Sequence, residues 1–216
     1  MADWVQRSLA LIALTILVPV MVAVGIGVRL SSPGPILFGA IRVGRDGRVF
    51  KAWKYRTMLA GDALGPAISI AADPRVTRFG SRLRRYRLDE LPQLWNVVRG
   101  DMRLVGPRPE DPKFVDIGSE RQRLVLTTVP GITGLAQLAF ADEARLLDGS
   151  DPEETYRSVI LPRKLAVDEA YVRHRSASLD LRIMLTTLGV IAGRGAPFAT
   201  IDRLVGTKAW RLPEEK

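Results

Sequence analysis

Two adjacent carboxylates, Asp89 and Glu90, stand at the head of the run Leu88 to Asn96. Arg82, Arg84, Arg85 and Arg87 precede them, and Arg99, Arg103 and Arg108 follow. A carboxylate in such a cationic field is a nucleophile or a metal ligand matched to phosphate oxygens. The pairing therefore points to phosphoryl chemistry. A structural reading is equally direct: Asp is a favoured helix N-cap, Pro92 suits a first turn, and Leu91, Leu94, Val97 and Val98 follow at helical spacing. Residues at i and i+1 on a helix do not face each other, so adjacency by itself makes no acid and base pair. Both readings stay open at the level of these residues.

The elements that must position the carboxylates follow from the same patterning. Ile36 to Val43 and Val49 to Tyr55 are partly alternating runs on either side of Gly44-Arg45-Asp46-Gly47-Arg48, and they predict a β-hairpin. Lys54 and Arg56, two positions apart in Lys54-Tyr55-Arg56-Thr57-Met58, share one face of a strand, either toward phosphate or toward solvent. Val76 to Tyr86 reads as a basic helix, with Arg84 among its cations. Gly106-Pro107-Arg108-Pro109 sets one guanidinium between two prolines, which lowers the entropy cost of a bidentate phosphate contact. Val129 to Gln137 is a glycine-punctuated loop, too irregular for a dinucleotide fingerprint. Gly61 to Pro74 reads as loop, Phe114 to Leu126 as a charged helix, and Asp151 to Arg175 as a helix with Tyr156, Leu165 and Tyr171 at packing positions. His174 reads as a surface or capping residue.

Leu9 to Val28 carries no charge over about twenty residues, the length that crosses a hydrocarbon core as a helix. A secretory signal has a shorter apolar region and an A-x-A-like cleavage site, which does not follow here. Pro19 in the middle removes a backbone donor and predicts a kink. Arg7 and Arg29 make both flanks basic, which allows a re-entrant hairpin as well as a kinked spanning helix. Ser31 to Pro35 is a turn cluster that ends this element. Leu179 to Ala192 is too apolar for an exposed helix and too short to span, so it is core or interfacial.

The composition removes several chemistries. With no Cys and one His, disulfides, thiolate zinc sites, Cys nucleophiles and multi-His metal centres are excluded. Any catalysis rests on carboxylates, hydroxyls and cationic side chains. A net charge of +9 and a pI near 10.4 call for an anionic partner: nucleic acid, an anionic membrane surface or a phosphorylated substrate. The few, scattered aromatics give no base-stacking platform, so nucleic acid is not expected.

The ordered set of membrane segment, Ser-Pro-Gly-Pro, Lys-Tyr-Arg-Thr-Met, Leu-Asp-Glu-Leu-Pro-Gln-Leu-Trp-Asn-Val, Gly-Pro-Arg-Pro and Pro-Gly-Ile-Thr-Gly-Leu-Ala-Gln resembles the bacterial sugar transferases, the monotopic phosphoglycosyl transferases. The likeness covers roughly residues 10 to 192. It implies an α+β enzyme, mainly helical, with a short β-hairpin and an N-terminal re-entrant membrane helix broken at Pro19. The expected division is residues 1–30 for that helix, 31–192 for the catalytic domain and 193–216 for a basic tail. The implied reaction moves a phosphosugar from a UDP-sugar to a polyprenol (undecaprenyl) phosphate at the cytoplasmic face of the bacterial inner membrane. It starts a surface glycan, through a covalent Asp-phosphosugar intermediate. Carried over by position, the resemblance makes Asp89 the nucleophile and Mg²⁺ ligand, and Glu90 its catalytic partner. Lys54, Arg56, Arg84 and Arg108 fall to phosphate contacts or site support, and Gln137 to the nucleotide-side loop. Homo-oligomerisation stays open. Two positions depart from the family pattern: Val18 stands where relatives often carry Ser before the proline, and Arg87 where a small residue is common. The rival reading is a membrane-anchored basic module that binds anionic lipid or nucleic acid without catalysis.

Overall fold

A computed structural model describes residues 1–59, 68, 73–141, 143, 147, 151–193 and 202. Most of the expected loop between Gly61 and Pro74, and nearly all of the basic tail, lie outside these residues. The described elements confirm an α+β architecture. An N-terminal helix α1 (Asp3–Ser31) is followed by the hairpin β1 (Leu37–Val43) and β2 (Val49–Tyr55). Then come α2 (Arg78–Arg85), α3 (Gln93–Arg99), β3 (Arg103–Val105), α4 (Glu120–Leu126), β4 (Gly131–Thr133) and α5 (Leu135–Ala139). The last described elements are α6 (Pro152–Thr155), which runs through a π-turn (Tyr156–Ile160) into α7 (Leu161–His174), and α8 (Ala177–Ile191).

The hairpin forms where the alternation places it, antiparallel from Leu37 opposite Tyr55 to Val43 opposite Val49. Its turn is made by two left-handed residues, Asp46 (φ 57°) and Gly47 (φ 75°), the conformation that Asp and Gly tolerate best. A second, parallel pair of three-residue strands joins β3 to β4. The sequence shows this stretch only as Pro- and Gly-rich loop, because three residues are too few to display alternation. The pairing requires backbone against backbone: a Cβ on Gly131 would lie 2.1 Å from the amide nitrogen of Gly106, so only glycine admits this approach.

The largest core is built by Val105, Leu135, Ile160, Val167, Tyr171 and Ile183, joining β3 to α5, α7 and α8. The opposite face of α8 leaves Leu185 (60%) and Leu188 (62%) exposed, so one face of the helix is core and the other is open. In α7, Asp168 is 4% exposed and its Oδ1 has no hydrogen-bond partner. Burial pushes its carboxyl up to about 8, with Lys164 opposing. A folded-state value above the unfolded one means that stability is full below the unfolded value near 4. It declines as pH rises toward 8 and then levels. Asp168→Asn is therefore expected to gain on wild type by up to about 1.4 kcal/mol per pH unit between pH 5 and 8. Thermal unfolding at several pH values measures it. Parallel pH profiles for the two proteins would contradict it.

Helix α1 is long and apolar enough to cross a membrane by length and composition, and at 29 residues it measures about 43 Å. It continues through Pro19 as one helix, so the expected break is not an interruption of helical structure. The proline frees the carbonyl of Thr15. The Thr15 hydroxyl donates to Leu11 O, 2.9 Å away, and leaves the Thr15 carbonyl unsatisfied by a side chain among the described residues. One face of α1 is fastened to the domain along its length. Gln6 Oε1 accepts from Leu104 N (2.9 Å) and Val105 N (3.3 Å), and Asp3 pairs with Arg103. Ala10 packs with Ala52, Leu94 and Val97. Val24 and Val28 pack with Tyr55 and Leu83, and the Tyr55 hydroxyl donates to Met21 O at 2.7 Å. The other face presents Ile12, Ile16, Val22, Ile26 and Leu30 outward, a continuous apolar stripe that water does not favour.

Candidate active site

Asp89 and Glu90 lie in a tight turn (Leu88–Glu90) between α2 and α3, entered through Arg87 in the left-handed region at φ 57°. That conformation costs a residue with a Cβ about 1–2 kcal/mol, which glycine would avoid. The helix that follows starts only at Gln93. Pro92 precedes it, and no side chain caps it. Asp89 is therefore not its N-cap. Both carboxylates are nonetheless buried, Asp89 at 8% and Glu90 at 7% exposure, and burial of two charges needs a reason.

For Glu90 the reason is ionic. Lys54, carried by β2, donates from Nζ to Glu90 Oε1 at 2.7 Å, and Arg108 reaches the same oxygen from Nη2 at 3.3 Å and Nη1 at 3.4 Å. Burial alone would raise the Glu90 carboxyl, but Lys54 and Arg108 overcome it and hold it well below the usual carboxylate range. Conversely Glu90 holds the Arg108 guanidinium up, while burial moves Lys54 down against the pull of Glu90. Glu90 is the ionised anchor of two cations.

Asp89 differs in kind. Among the described residues it has no hydrogen bond or ion pair. Burial, and then the charge of Glu90, push its carboxyl up from the ordinary value, with Lys54 and Arg84 opposing. Arg84, on α2, is fixed by Nε donation to Thr57 Oγ1 at 2.9 Å. Gly80 lets α2 sit this close to β2's end, since a Cβ there would meet the Thr57 carbonyl oxygen at 2.2 Å. A buried, unengaged carboxylate beside fixed cations is the arrangement expected of a nucleophile or ligand, and one neighbour held ionised beside one raised separates their roles.

Among the described residues no group of three or more His, Cys, Asp or Glu side chains could hold a metal. The carboxylates at Asp89 and Glu90 are of the kind that suits Mg²⁺, a cation held by one or two carboxylates together with substrate phosphates and waters. Asp89 is the side chain free to serve.

The structure brings Lys54, Arg84 and Arg108 to the two carboxylates and leaves two expected residues elsewhere. Arg56 follows Tyr55 out of β2 and turns away. Its Nη2 donates to Ser32 O at 2.8 Å and its Nη1 to Pro33 O. Here a guanidinium ties the end of α1 to the hairpin, satisfying carbonyls that follow the helix. Gln137 Nε2 points back to Gly131 O at 3.5 Å, and its Oε1 is buried without a partner. Sequence reasoning missed Asn96, which is 1% exposed. It accepts from Trp53 N (3.0 Å) and donates to Lys51 O (2.8 Å), pinning α3 to β2 and so Glu90 to Lys54. It also missed Glu110 and Tyr156, which hydrogen-bond at 2.7 Å behind Arg108. No sequence pattern links residues 46 positions apart.

Comparison with known proteins agrees with this geometry. The family model of the bacterial sugar transferases matches residues 1–194. The chain is 40% identical over 196 residues to the UDP-glucose:undecaprenyl-phosphate glucose-1-phosphate transferase of Xanthomonas campestris pv. campestris, covering 88% of this chain and 38% of that protein. It is 36% identical over 199 residues to the UDP-N-acetylgalactosamine-undecaprenyl-phosphate N-acetylgalactosaminephosphotransferase of Aeromonas hydrophila, covering 87% and 43%. It is also 36% identical over 197 residues to the exopolysaccharide production protein PSS of Rhizobium leguminosarum bv. phaseoli, covering 88% and 94%. The chain thus spans about two fifths of the first two relatives and nearly all of the third. Its buried carboxylate pair, the cations that β2, α2 and the Pro107–Pro109 strap bring to that pair, and a match over residues 1–194 place this chain in the bacterial sugar transferase family.

Proposed function

We propose that the protein transfers a phosphosugar from a UDP-sugar to undecaprenyl phosphate or a related polyprenol phosphate by a two-step covalent route, at the cytoplasmic face of the inner membrane. The observation that carries this reading is the asymmetry of the two adjacent buried carboxylates: Glu90 saturated by Lys54 and Arg108, and Asp89 unengaged. An Asp89 oxygen attacks the phosphorus that bears the sugar. The bond from that phosphorus to the bridging oxygen breaks, and UMP departs with the electron pair. The polyprenol phosphate oxygen then attacks the same phosphorus and releases Asp89 as carboxylate. Phosphoryl transfer depends chiefly on positioning and charge neutralisation, and Lys54, Arg84 and Arg108 supply both. The raised basicity of Asp89 favours its nucleophilicity once ionised. Glu90 keeps the cations in place and, through them, the phosphate oxygens. Gln137 lines the nucleotide side in this reading, and Arg56 serves α1 instead. Mg²⁺, held by Asp89 and the diphosphate, would neutralise charge on the leaving phosphate. The test is a screen of UDP-sugars with polyprenol phosphate and Mg²⁺ that measures UMP. Donor-specific release that stops near one equivalent without acceptor and turns over repeatedly with it supports the reading, and no release with any donor removes it.

The same reading puts both ends of α1 on one side of the membrane. The helix is fastened to one polar body at Gln6 and again at Met21 to Val28. A span with ends on opposite sides would drag that body into hydrocarbon, where unpaired charges are costly. The chain has no Cys, so Ala2→Cys and Ser31→Cys report topology cleanly. Both should resist an impermeant thiol reagent in intact cells and react in opened ones. Labelling of one position alone in intact cells would restore a spanning helix.

A further inference from the structure

Behind Arg108 lies a buried polar cluster that none of the chemistry above uses. Lys164, on α7, is 3% exposed. Its Nζ donates to the Tyr156 hydroxyl oxygen and to Glu143 Oε2, each at 3.0 Å, and lies 3.5 Å from Glu110 Oε1. The Tyr156 hydroxyl in turn donates to Glu110 Oε1 at 2.7 Å. Glu110 is thereby held from two directions by groups on a single helical segment, Tyr156 in its π-turn and Lys164 one turn into α7.

Glu110 is two residues from Arg108, across Pro109. The strap from Gly106 to Glu110 is pinned on its upstream side by Gly106 N to Thr133 O (2.9 Å) and Gly131 N to Pro107 O (2.8 Å). On its downstream side the pins are Val43 N to Glu110 O (3.0 Å) and the Glu110 carboxylate itself. Two prolines fix φ between the pins. The side-chain direction of Arg108 onto Glu90 follows from where the two ends are held.

Buried ion clusters rarely add net stability, because desolvation offsets their attraction, and their best-attested use is to select one geometry. Building on the reading of Arg108 as part of the transfer site, we infer that Glu110, Tyr156 and Lys164 are positioning residues for Arg108, acting through the strap and touching no substrate. The π-turn supports this assignment, since such turns mark places where a helix gives up regular geometry to aim a side chain, and here the side chain is Tyr156.

The experiment is a double-mutant cycle on the full chain in membranes, with UMP release as readout. Arg108→Lys keeps the charge and loses the guanidinium, and should lower kcat roughly ten- to hundredfold, the size expected for one charge-assisted bond felt in the transition state. Tyr156→Phe removes one oxygen and should lower kcat about tenfold, with KM for the UDP-sugar within about twofold, the signature of an interaction made in the transition state. In the Arg108→Lys background the same Tyr156→Phe change should cost less than about twofold, because residues acting through one group are not additive. Glu110→Gln, which keeps an acceptor for the Tyr156 hydroxyl and drops the charge, is the second variant and should behave alike. A tenfold loss in both backgrounds, an effect confined to KM, or no loss at all would overturn the assignment. Failure of the transfer reading is a separate result: UMP would then be absent from the wild type, or Arg108→Lys would turn over normally.

Discussion

Asp89→Asn should lower turnover by at least about a thousandfold, as loss of a covalent nucleophile does, while leaving the fold intact. The second half of this expectation is specific to the structure. Among the described residues Asp89 has no hydrogen bond or ion pair and caps no helix, so removing its charge breaks nothing. Its buried position beside Glu90 means that the neutral amide also relieves a like-charge contact. The melting temperature should hold or rise slightly. Mixing wild type with Mg²⁺ and the right UDP-sugar, without acceptor, should release UMP in an amount near the enzyme present and leave the peptide containing Asp89 heavier by one phosphosugar. The Asn variant should do neither. UMP release that requires acceptor, with no adduct on any peptide, would favour direct transfer and return Asp89 to the role of metal ligand. Full function in the Asn variant would instead support the basic binding module.

Lys54→Met should be the second most damaging change, and it should act on stability as well as on rate. Lys54 and Glu90 form the tightest pair in the site, with side chains 19% and 8% exposed. Removing one partner of a buried pair costs about 3–5 kcal/mol when the other is stranded. Here Arg108 remains on the same Glu90 oxygen, and Lys54 is partly solvated, so about 2 kcal/mol is the reasonable expectation. For a chain of this size that lowers Tm by about 4–8 °C. Turnover should fall about a hundredfold or more, the usual cost of deleting one preorganised donor to developing negative charge. A Lys54→Met/Glu90→Gln double variant separates the two effects: it should recover most of the Tm and none of the activity. A Lys54→Met protein that melts and turns over like wild type would leave the pair a surface ornament of the hairpin.

The site was legible in the sequence to the extent that it is local. Asp89 and Glu90 are neighbours, Lys54 sits at the end of a strand whose alternation is visible, and Arg108 lies between prolines, so each announced itself by type and immediate context. The hairpin follows likewise from alternation and α3 from the helical spacing of Leu91, Leu94, Val97 and Val98, while α1 follows from the length of its uncharged apolar run. Arg56 marks the limit of that logic. It lies two positions from Lys54, but its guanidinium is taken by the carbonyls of Ser32 and Pro33 after α1, partners that no period in the strand announces. The parallel pairing of β3 with β4 was invisible for a related reason: three residues show no period, and a parallel partner lies far along the chain.

Sequence by itself therefore determined the chemistry on offer: a carboxylate pair in a basic chain without thiols and with a single His, an apolar N-terminal helix, and the family to which these motifs belong. Only the tertiary structure decided which of the two carboxylates is ion-paired. The resemblance assigns their roles by position, but residue type and spacing within Leu88 to Asn96 give no physical ground for the difference. The distinction arises because Lys54 and Arg108, 36 and 18 residues away, converge on Glu90 Oε1 and pass Asp89 by. Charge interactions at 3 Å depend on distances in space, which separation along a chain does not encode.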